Sequence, residues 1–259
     1  MIGQIDFHIE ALESMKKYPK ELFYTGDVTL LQRRKVSIVG SRKPNQYARD
    51  MTYRLVQKLT QADICIVSGG AIGIDAIAHK SAGSRNTIMV AATGLDKRYP
   101  SINKNLIKDI EENGLVLSQF KPSSLSTKYN FVLRNELVVA LGEVLIVSYA
   151  ELDSGTMRSV AYAQQMGKQI YVLPHRIGDS EGTNRLLADK KAEAIYDIDD
   201  FVDGFTHCYQ KNSLEVTPFL AFCAANPSYE EALKIFPSEI FEAELQGLIE
   251  IKNAKVYLL

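Results

Sequence analysis

Short apolar runs alternate with amphipathic stretches along most of the chain. Runs of about four apolar residues are typical of strands buried in a parallel sheet, and the stretches between them repeat apolar positions every three or four residues, as helices do. The predicted strands lie at 36–39, 64–67, 87–91, 115–118, 144–147, 169–173 and 194–196. This alternation predicts an α/β fold, in which a doubly wound, mostly parallel sheet is covered by helices.

The two ends of the chain differ from this central pattern. Residues 1–34 are predicted to form a mostly helical lead-in that packs on the main domain. The main domain, residues 35–211, is predicted to be an extended Rossmann-like domain. A linker is predicted at 212–216. The C-terminal domain, residues 215–259, shows three short helical patterns and then two alternating runs around Asn253-Ala254. Three helices and a hairpin predict a small winged-helix-like domain.

Charge is distributed unevenly between these domains. The chain of 259 residues has a formal net charge of −1, but residues 215–259 hold seven acids and three bases, so the preceding residues carry +3. A positive large domain is compatible with nucleic-acid binding. The candidate recognition helix at 239–244 is acidic and would repel phosphate, which favours a protein partner for the C-terminal domain.

Composition excludes several other classes. The three cysteines and four histidines are scattered, which argues against a metal site and suits a reducing cytoplasm. With no long apolar run and no signal-peptide pattern, we expect neither a membrane span nor an anchor. Neither G-x-G-x-x-G nor G-x-x-x-x-G-K-[ST] occurs, so no dinucleotide or other cofactor is expected.

A glycine-rich turn at 68–73 joins a predicted strand to a predicted helix and contains Gly69, Gly70 and Gly73. Glycine lets a ligand approach the backbone, and the N–H groups at the start of a helix attract anions. A tight strand-to-helix turn without a ligand would use the same residues, and this turn alone leaves both interpretations open.

Other turns are expected at the same edge, because ligands bind beyond the carboxyl ends of parallel strands. Ser41, Arg42 and Lys43 follow one strand, and a second set of hydroxyl and N–H donors, Ser154-Gly155-Thr156, follows another. Several anion-binding turns with two cations suit a row of phosphates better than one cofactor. Arg33, Arg34 and Lys35 precede a strand, so we expect them at the opposite edge as solvated surface charge.

The segment that begins at Lys128 adds an aromatic component. Lys128 and Phe131 are followed by Arg134 and Asn135. Cations that track a backbone, with a ring on which a base can stack, are typical of single-stranded nucleic-acid binding. Phe131 could instead be the first core residue of its helix, and Arg134 could pair with a neighbouring acid.

Several motifs occur in order over about residues 18–200. They are Val36 to Pro44, Ser68 to His79, Gly94-Leu95-Asp96 with Tyr99-Pro100, Phe131 with Arg134-Asn135, Ser154-Gly155-Thr156 and Gly182-Thr183-Asn184. Together these motifs resemble the DNA processing protein A (DprA, or Smf) family, and the tail resembles short-tailed members from the Helicobacter and Campylobacter group.

The resemblance implies a cytoplasmic, homodimeric, non-catalytic protein of natural transformation. Such a protein binds incoming single-stranded DNA, protects it from nucleases and loads the RecA recombinase. The implied DNA pocket comprises Arg42, Lys43, the Gly69-Gly70 turn, Lys128, Phe131 and the Ser154-Gly155 turn.

Two positions depart from the family pattern. Glu136 stands where the family's usual Arg-Asn-Arg has its second arginine, so it either weakens the pocket's charge or pairs with Arg134. The family's Gly-Thr-Arg turn is Gly40-Ser41-Arg42 here, which keeps the hydroxyl.

Two competing hypotheses remain. Phosphoribohydrolase-like enzymes have similar glycine-rich turns, but they carry a catalytic Glu in the second turn, and residues 154–158 contain none. A pure scaffold would suit the acidic tail but would leave the basic edge unexplained.

Overall fold

The computed structural model describes residues 2–212, 218–245 and 247–258. The chain divides into two compact units with the boundary after Val202, rather than near residue 211 as expected. This boundary lies within the helix Ile198–Asn212, which continues on both sides of it. Most of the predicted linker, residues 213–216, lies outside the described residues.

One mixed sheet dominates the large unit. Its described strands are β1 (Gly3–Gln4), β2 (Phe23–Gly26), β3 (Lys35–Gly40), β4 (Cys65–Gly69), β5 (Thr87–Val90), β6 (Leu115–Ser118), β7 (Leu145–Tyr149), β8 (Ile170–Val172) and β9 (Glu193–Ala194). Their order is β1-β2-β6-β5-β4-β3-β7-β8-β9. From β6 to β9 all neighbours are parallel, which confirms the predicted doubly wound α/β fold.

Helices flank this sheet and bury their apolar sides against it. In α1, for example, Leu55, Val56 and Leu59 are fully buried, and the Asn45 side chain caps the helix by accepting a hydrogen bond from the Ala48 N–H at 2.8 Å. The helices are α1 (Gln46–Gln61), α2 (Ile74–Ala82), α3 (Lys104–Asn113), α4 (Lys128–Leu141), α5 (Gly155–Gln165), α6 (Glu181–Ala188) and α7 (Ile198–Asn212).

The N-terminal segment is not mostly helical, so that expectation was wrong. It forms strands β1 and β2 and two short 3₁₀ helices, Glu10–Ser14 and Val28–Gln32. Strand β2 pairs antiparallel with β6, where it satisfies backbone groups that an edge strand would expose. The packing part of the prediction is right, because Leu30 and Leu31 are buried.

The cations at the amino edge of the sheet are not simply solvated, which corrects a second expectation. Arg33 Nη2 lies 2.6 Å from Asp63 Oδ1, and Arg34 Nη2 lies 2.9 Å from Glu143 Oε2. Lys35 is buried and donates to the Arg33 carbonyl at 2.6 Å. Burial lowers the pKa of Lys35. These charged side chains lie close together because each precedes the first residue of a neighbouring strand or stands at it. The order of residues along the chain does not reveal this proximity.

The small unit contains the elements predicted for a winged-helix-like domain. Ser228 and Glu231 form a capping box at the start of its second helix. Its described core includes Phe219, Ile240 and Val256. The elements are α8 (Pro218–Cys223), α9 (Tyr229–Ile235), α10 (Glu239–Leu245), β10 (Ile249–Lys252) and β11 (Lys255–Leu258), the last two forming an antiparallel hairpin.

Two features are absent from the described residues. None of the helices there combines the length and the apolar character that a bilayer crossing requires. Within the same residues, histidine, cysteine and carboxylate side chains do not gather in threes in a way that could hold a metal ion.

Candidate nucleic-acid interface

A cleft of about 510 Å³ opens where the strand order reverses. From β3 the chain continues through β4, β5 and β6 on one side, whereas β7 and β8 lie on the other. The carboxyl ends beside such a switch point form the crevice in which doubly wound proteins bind ligands. The cleft is lined from the end of β3, the beginning of α4 and the beginning of α5.

The structure brings most of the predicted site residues together. Gly70 lines a smaller cavity that adjoins the cleft, Gly69 lies behind the cleft wall, and Lys43 lines neither cavity. The nine predicted residues that line the cleft are Ser41, Arg42, Lys128, Phe131, Arg134, Asn135, Ser154, Gly155 and Thr156.

The glycine-rich turn is locked against the turn after β3. Gly73 has φ +83°, and a Cβ there would collide with the Ser41 carbonyl oxygen. The Ile74 N–H donates to the same oxygen at 3.1 Å. Because only glycine suits both the backbone angle and the contact, Gly73 fixes the position of Ser41 and Arg42 at the start of α2.

Arg134 lines the cleft, but its side chain is buried under the glycine-rich turn. Its side chain is 5% exposed, and its Nη1 is 3.6 Å from Asp75 Oδ2. A Cβ on Gly69 would occupy the position of the guanidinium. Burial raises the pKa of Asp75 and lowers the pKa of Arg134, and in each case the opposite charge of the partner acts against the shift. Each member of the pair therefore opposes the effect of burial on the other.

Glu136 is not the partner of Arg134, although its position suggested this alternative. Its Oε1 accepts a hydrogen bond from the Lys16 N–H at 3.0 Å, so it ties α4 to the N-terminal segment. On a helix, residues two positions apart do not share a face, which is why Asp75 of α2 pairs with Arg134 instead. Arg134 Nε is buried and has no hydrogen-bond partner among the described residues.

Two further side chains hold the carbonyl groups of the turn. His79 Nε2 lies 2.7 Å from the Gly69 oxygen, and Asn103 Nδ2 donates to the Gly70 and Ala71 oxygens at 3.1 and 3.2 Å. Burial lowers the pKa of His79 to about 4, so the ring is neutral near pH 7. Its Nε2–H then donates to Gly69, while Nδ1 lies 2.7 Å from the Thr87 hydroxyl, which itself donates to the Ile66 oxygen at 2.8 Å.

Sequence reasoning missed both of these supports. His79 follows Asp75 by four positions on α2, so the two share a helix face, and this spacing was the available signal. Asn103 gave no local signal, because its role depends on the loop after β5 folding back over the turn.

The half-buried ring of Phe131 shares the cleft with the exposed side chains of Arg42, Lys128 and Arg158. Arg42 Cζ lies 5.3 Å from the ring centroid, within the range of a cation–π contact. Arg158 also lines the cleft and was not predicted, although it lies only two positions after the predicted turn. The described part of the chain offers no ion-pair partner to any of the four exposed cations, which are Arg42, Lys43, Lys128 and Arg158.

The start of α5 faces the same cleft. Ser154 is its N-cap residue, and the buried Ser154 Oγ lacks a hydrogen-bond partner in the described structure. A Cβ on Gly155 would meet open space. An uncapped N-terminus of an 11-residue helix, with a free hydroxyl beside it, can donate to an anion in the cleft.

The fold and this cleft define a class: doubly wound α/β proteins with a basic, aromatic-lined crevice at the switch point of the sheet. Comparison with known proteins specifies it further. The chain belongs to the DNA recombination-mediator protein A family, whose family model matches residues 6–206. This confirms the family resemblance seen in the motifs.

Individual relatives agree with this assignment. DNA processing protein DprA of Streptococcus pneumoniae is 35% identical over 175 residues, which cover 66% of this chain and 62% of that protein. The chain thus spans less than two thirds of that relative. DprA of Bacillus subtilis is 30% identical over 212 residues, covering 80% of this chain and 70% of the relative.

A solved structure is also similar over most of its length. It is that of DNA processing protein A from Helicobacter pylori, studied for the way in which that protein binds single-stranded DNA. The two chains are 38% identical with a TM-score of 0.78, and the match covers 80% of this chain and 96% of that one.

Proposed function

We propose that this protein binds single-stranded DNA in the cleft and catalyses no reaction. The observation that supports this most strongly is the set of exposed cations without acid partners around Phe131. Unpaired cations in a groove attract a phosphate backbone, and an accessible ring gives a base a surface on which to stack. The single-stranded DNA binding of the Helicobacter pylori relative supports the same proposal.

Each predicted site residue has a role in this proposal. Arg42, Lys43, Lys128 and the added Arg158 bind phosphates, and Phe131 stacks on a base. Ser41, Asn135 and the Ser154-Gly155-Thr156 turn donate hydrogen bonds to the backbone of the strand. Gly69, Gly70 and Arg134 shape the cleft wall, where Arg134 acts through its buried pair with Asp75.

The cellular role that we propose is that of the family. The protein would protect incoming single-stranded DNA during natural transformation in the cytoplasm and load RecA on it, acting as a homodimer. In the C-terminal unit, Phe241 and Leu245 are exposed on the acidic helix α10, which supports a protein partner for that unit. RecA loading predicts faster nucleation of RecA filaments when the protein is added to bare single strands.

The test is a fluorescence-anisotropy titration with labelled single-stranded and duplex DNA of about 30 nucleotides, without metal or nucleotide. We expect a preference for the single strand. Release of counterions by four cations gives a slope of about −3 in log K against log salt, so affinity should fall about fiftyfold between roughly 50 and 200 mM salt.

A matched pair of variants tests the aromatic role. Phe131→Ala should weaken binding by about 1–3 kcal/mol. Tyr129→Ala removes a neighbouring ring that is 69% exposed and lines neither cavity, and it should bind like the wild type. Equal binding by Phe131→Ala and wild type would contradict stacking.

If the protein were instead a phosphoribohydrolase-like enzyme, the same DNA titration would give a different result. Such an enzyme needs an available carboxylate, and of the two that line the cleft Asp75 is buried in its pair with Arg134, while Asp153 is exposed. Absence of DNA binding at low salt, with release of a base from a nucleoside monophosphate, would replace the proposal by the enzyme.

A further inference from the structure

One exposed acid, Asp153, lines the cleft from the turn between β7 and α5. It forms no ion pair with the described residues, although three exposed cations line the same cleft, Arg42, Lys128 and Arg158. We propose that the Asp153 carboxylate accepts a hydrogen bond from a ribose 2′-hydroxyl, so that the cleft binds single-stranded RNA as well as DNA. The proposal rests on the proposed function and adds a second class of strand to it.

The charge of Asp153 does not suit a phosphate. A carboxylate only accepts hydrogen bonds, whereas a phosphodiester offers no donor and carries a charge of the same sign. The cations of the cleft can face phosphates, but Asp153 needs a neutral donor group on the ligand. Along its backbone a DNA strand has no such group at internal positions, whereas RNA has a hydroxyl on every sugar.

The residues that follow Asp153 leave room for a hydroxyl and can bind it. The buried Ser154 Oγ lacks a hydrogen-bond partner in the described structure, and a Cβ on Gly155 would meet open space. A sugar hydroxyl both donates and accepts, so it can donate to Asp153 and accept from Ser154. Doubly wound proteins that bind nucleotides use a carboxylate for a ribose hydroxyl in the same way.

A second acid in the same turn is engaged within the protein. Glu151 is exposed like Asp153, but its side chain is hydrogen-bonded to that of Tyr149, and it lines neither cavity. The start of α5 makes an acid tolerable at Asp153, because a helix dipole favours negative charge at its N-terminus. Of the two acids, Asp153 is therefore the one that is available to a ligand.

The experiment compares three oligouridylates of about 30 nucleotides, with ribose, 2′-deoxyribose and 2′-fluororibose, in anisotropy titrations. The base is the same in all three, so a difference in affinity arises from the sugar. The 2′-fluoro strand keeps a ribose-like sugar conformation but cannot donate, and a dye at the 3′ end blocks the terminal hydroxyl. The proteins are the wild type, Asp153→Ala and the control Glu151→Gln, which removes one negative charge from the same turn.

We expect the wild type to bind the RNA strand at least as tightly as the DNA strand. Asp153→Ala should lower the ratio of RNA affinity to DNA affinity about tenfold, because a hydrogen bond to a charged acceptor is lost. Its affinity for DNA should rise roughly two- to fivefold, because a repulsive charge is removed. The 2′-fluoro strand should respond to Asp153→Ala as DNA does. Glu151→Gln should change all three affinities by the same factor.

The role of Asp153 is wrong, and the proposed function stands, if the wild type binds DNA and Asp153→Ala keeps the wild-type ratio of RNA to DNA affinity. The same holds if the wild type binds RNA far more weakly than DNA, or if Glu151→Gln lowers the ratio as much as Asp153→Ala. If the wild type binds neither strand, the proposed function itself fails. Thermal unfolding of each variant verifies that the compared proteins are folded.

Discussion

Arginine and lysine side chains gather at both edges of the parallel sheet, and their surroundings differ. At the amino edge, Arg33 is bonded to Asp63 at 2.6 Å and Arg34 to Glu143 at 2.9 Å. Lys35, in the same group, is buried and donates to backbone carbonyls. The protein itself satisfies the positive charge at this edge.

At the carboxyl edge the buried and the exposed cations are separated. Arg134 is paired with Asp75 inside the protein. Its exposed neighbours form no ion pair with the described side chains, so their mutual repulsion falls when a polyanion binds. The two edges thus differ in how their cations are engaged: Arg33 and Arg34 form ion pairs, whereas Arg42, Lys43, Lys128 and Arg158 form none with the described residues.

The largest effect expected from this comparison concerns the buried pair. Asp75→Asn removes the charge that balances Arg134, and loss of one partner from a buried pair costs about 3–5 kcal/mol. The control at the amino edge is Asp63→Asn, because Asp63 is 89% exposed and asparagine tolerates its positive φ. That change should cost at most about 1 kcal/mol. Chemical denaturation measures both.

A double variant makes this test specific. If the cost arises from an uncompensated charge, Asp75→Asn with Arg134→Gln should be less destabilised than the sum of the single variants. Strict additivity of the two changes would show that Asp75 and Arg134 do not depend on each other.

The next effect depends on pH and concerns the support of the glycine-rich turn. The pKa of His79 is about 4 in the folded protein and near 6.5 when unfolded. Between these values the unfolded chain binds more protons, so stability is lost as the pH falls from 6.5 to 4. For His79 the loss amounts to about 3 kcal/mol.

His79→Gln isolates this contribution from the carboxylates that also titrate in acid. Glutamine keeps a donor for the Gly69 oxygen but has no proton to gain. Unfolding free energies measured from pH 7 to 4 should therefore converge for the two proteins at the acid end. Parallel curves for wild type and His79→Gln would exclude His79 as the titrating group.

Much of the fold could be predicted from local pattern alone. Strand β4 was predicted within one to two residues, because a short apolar run is a strong signal of a buried parallel strand. The N-terminal strands β1 and β2 were missed. Each is short, and their conformation depends on pairing at the edge of β6, which is distant in sequence.

The candidate site could be predicted in part for a related reason. The rule that ligands bind at carboxyl ends brought Arg42, Phe131 and Ser154 to one cleft without any structural information. This rule does not predict whether a given side chain is buried or exposed. Arg134 and Arg158 are both arginines beside this cleft, but one is buried and one is exposed, and only the packing of α2 against the turn decides which.

The smallest effect expected is that of one exposed cation. Arg158→Gln should remove a single phosphate contact, which weakens single-strand binding by about 1 kcal/mol and reduces the salt slope by about 0.7. The matched control is Arg34→Gln at the amino edge, where the arginine is engaged with Glu143. We expect the control to leave both quantities unchanged in an anisotropy titration. If the two variants changed affinity and salt slope equally, net charge alone would explain binding, and the distinction between paired and unpaired cations would lose its functional meaning.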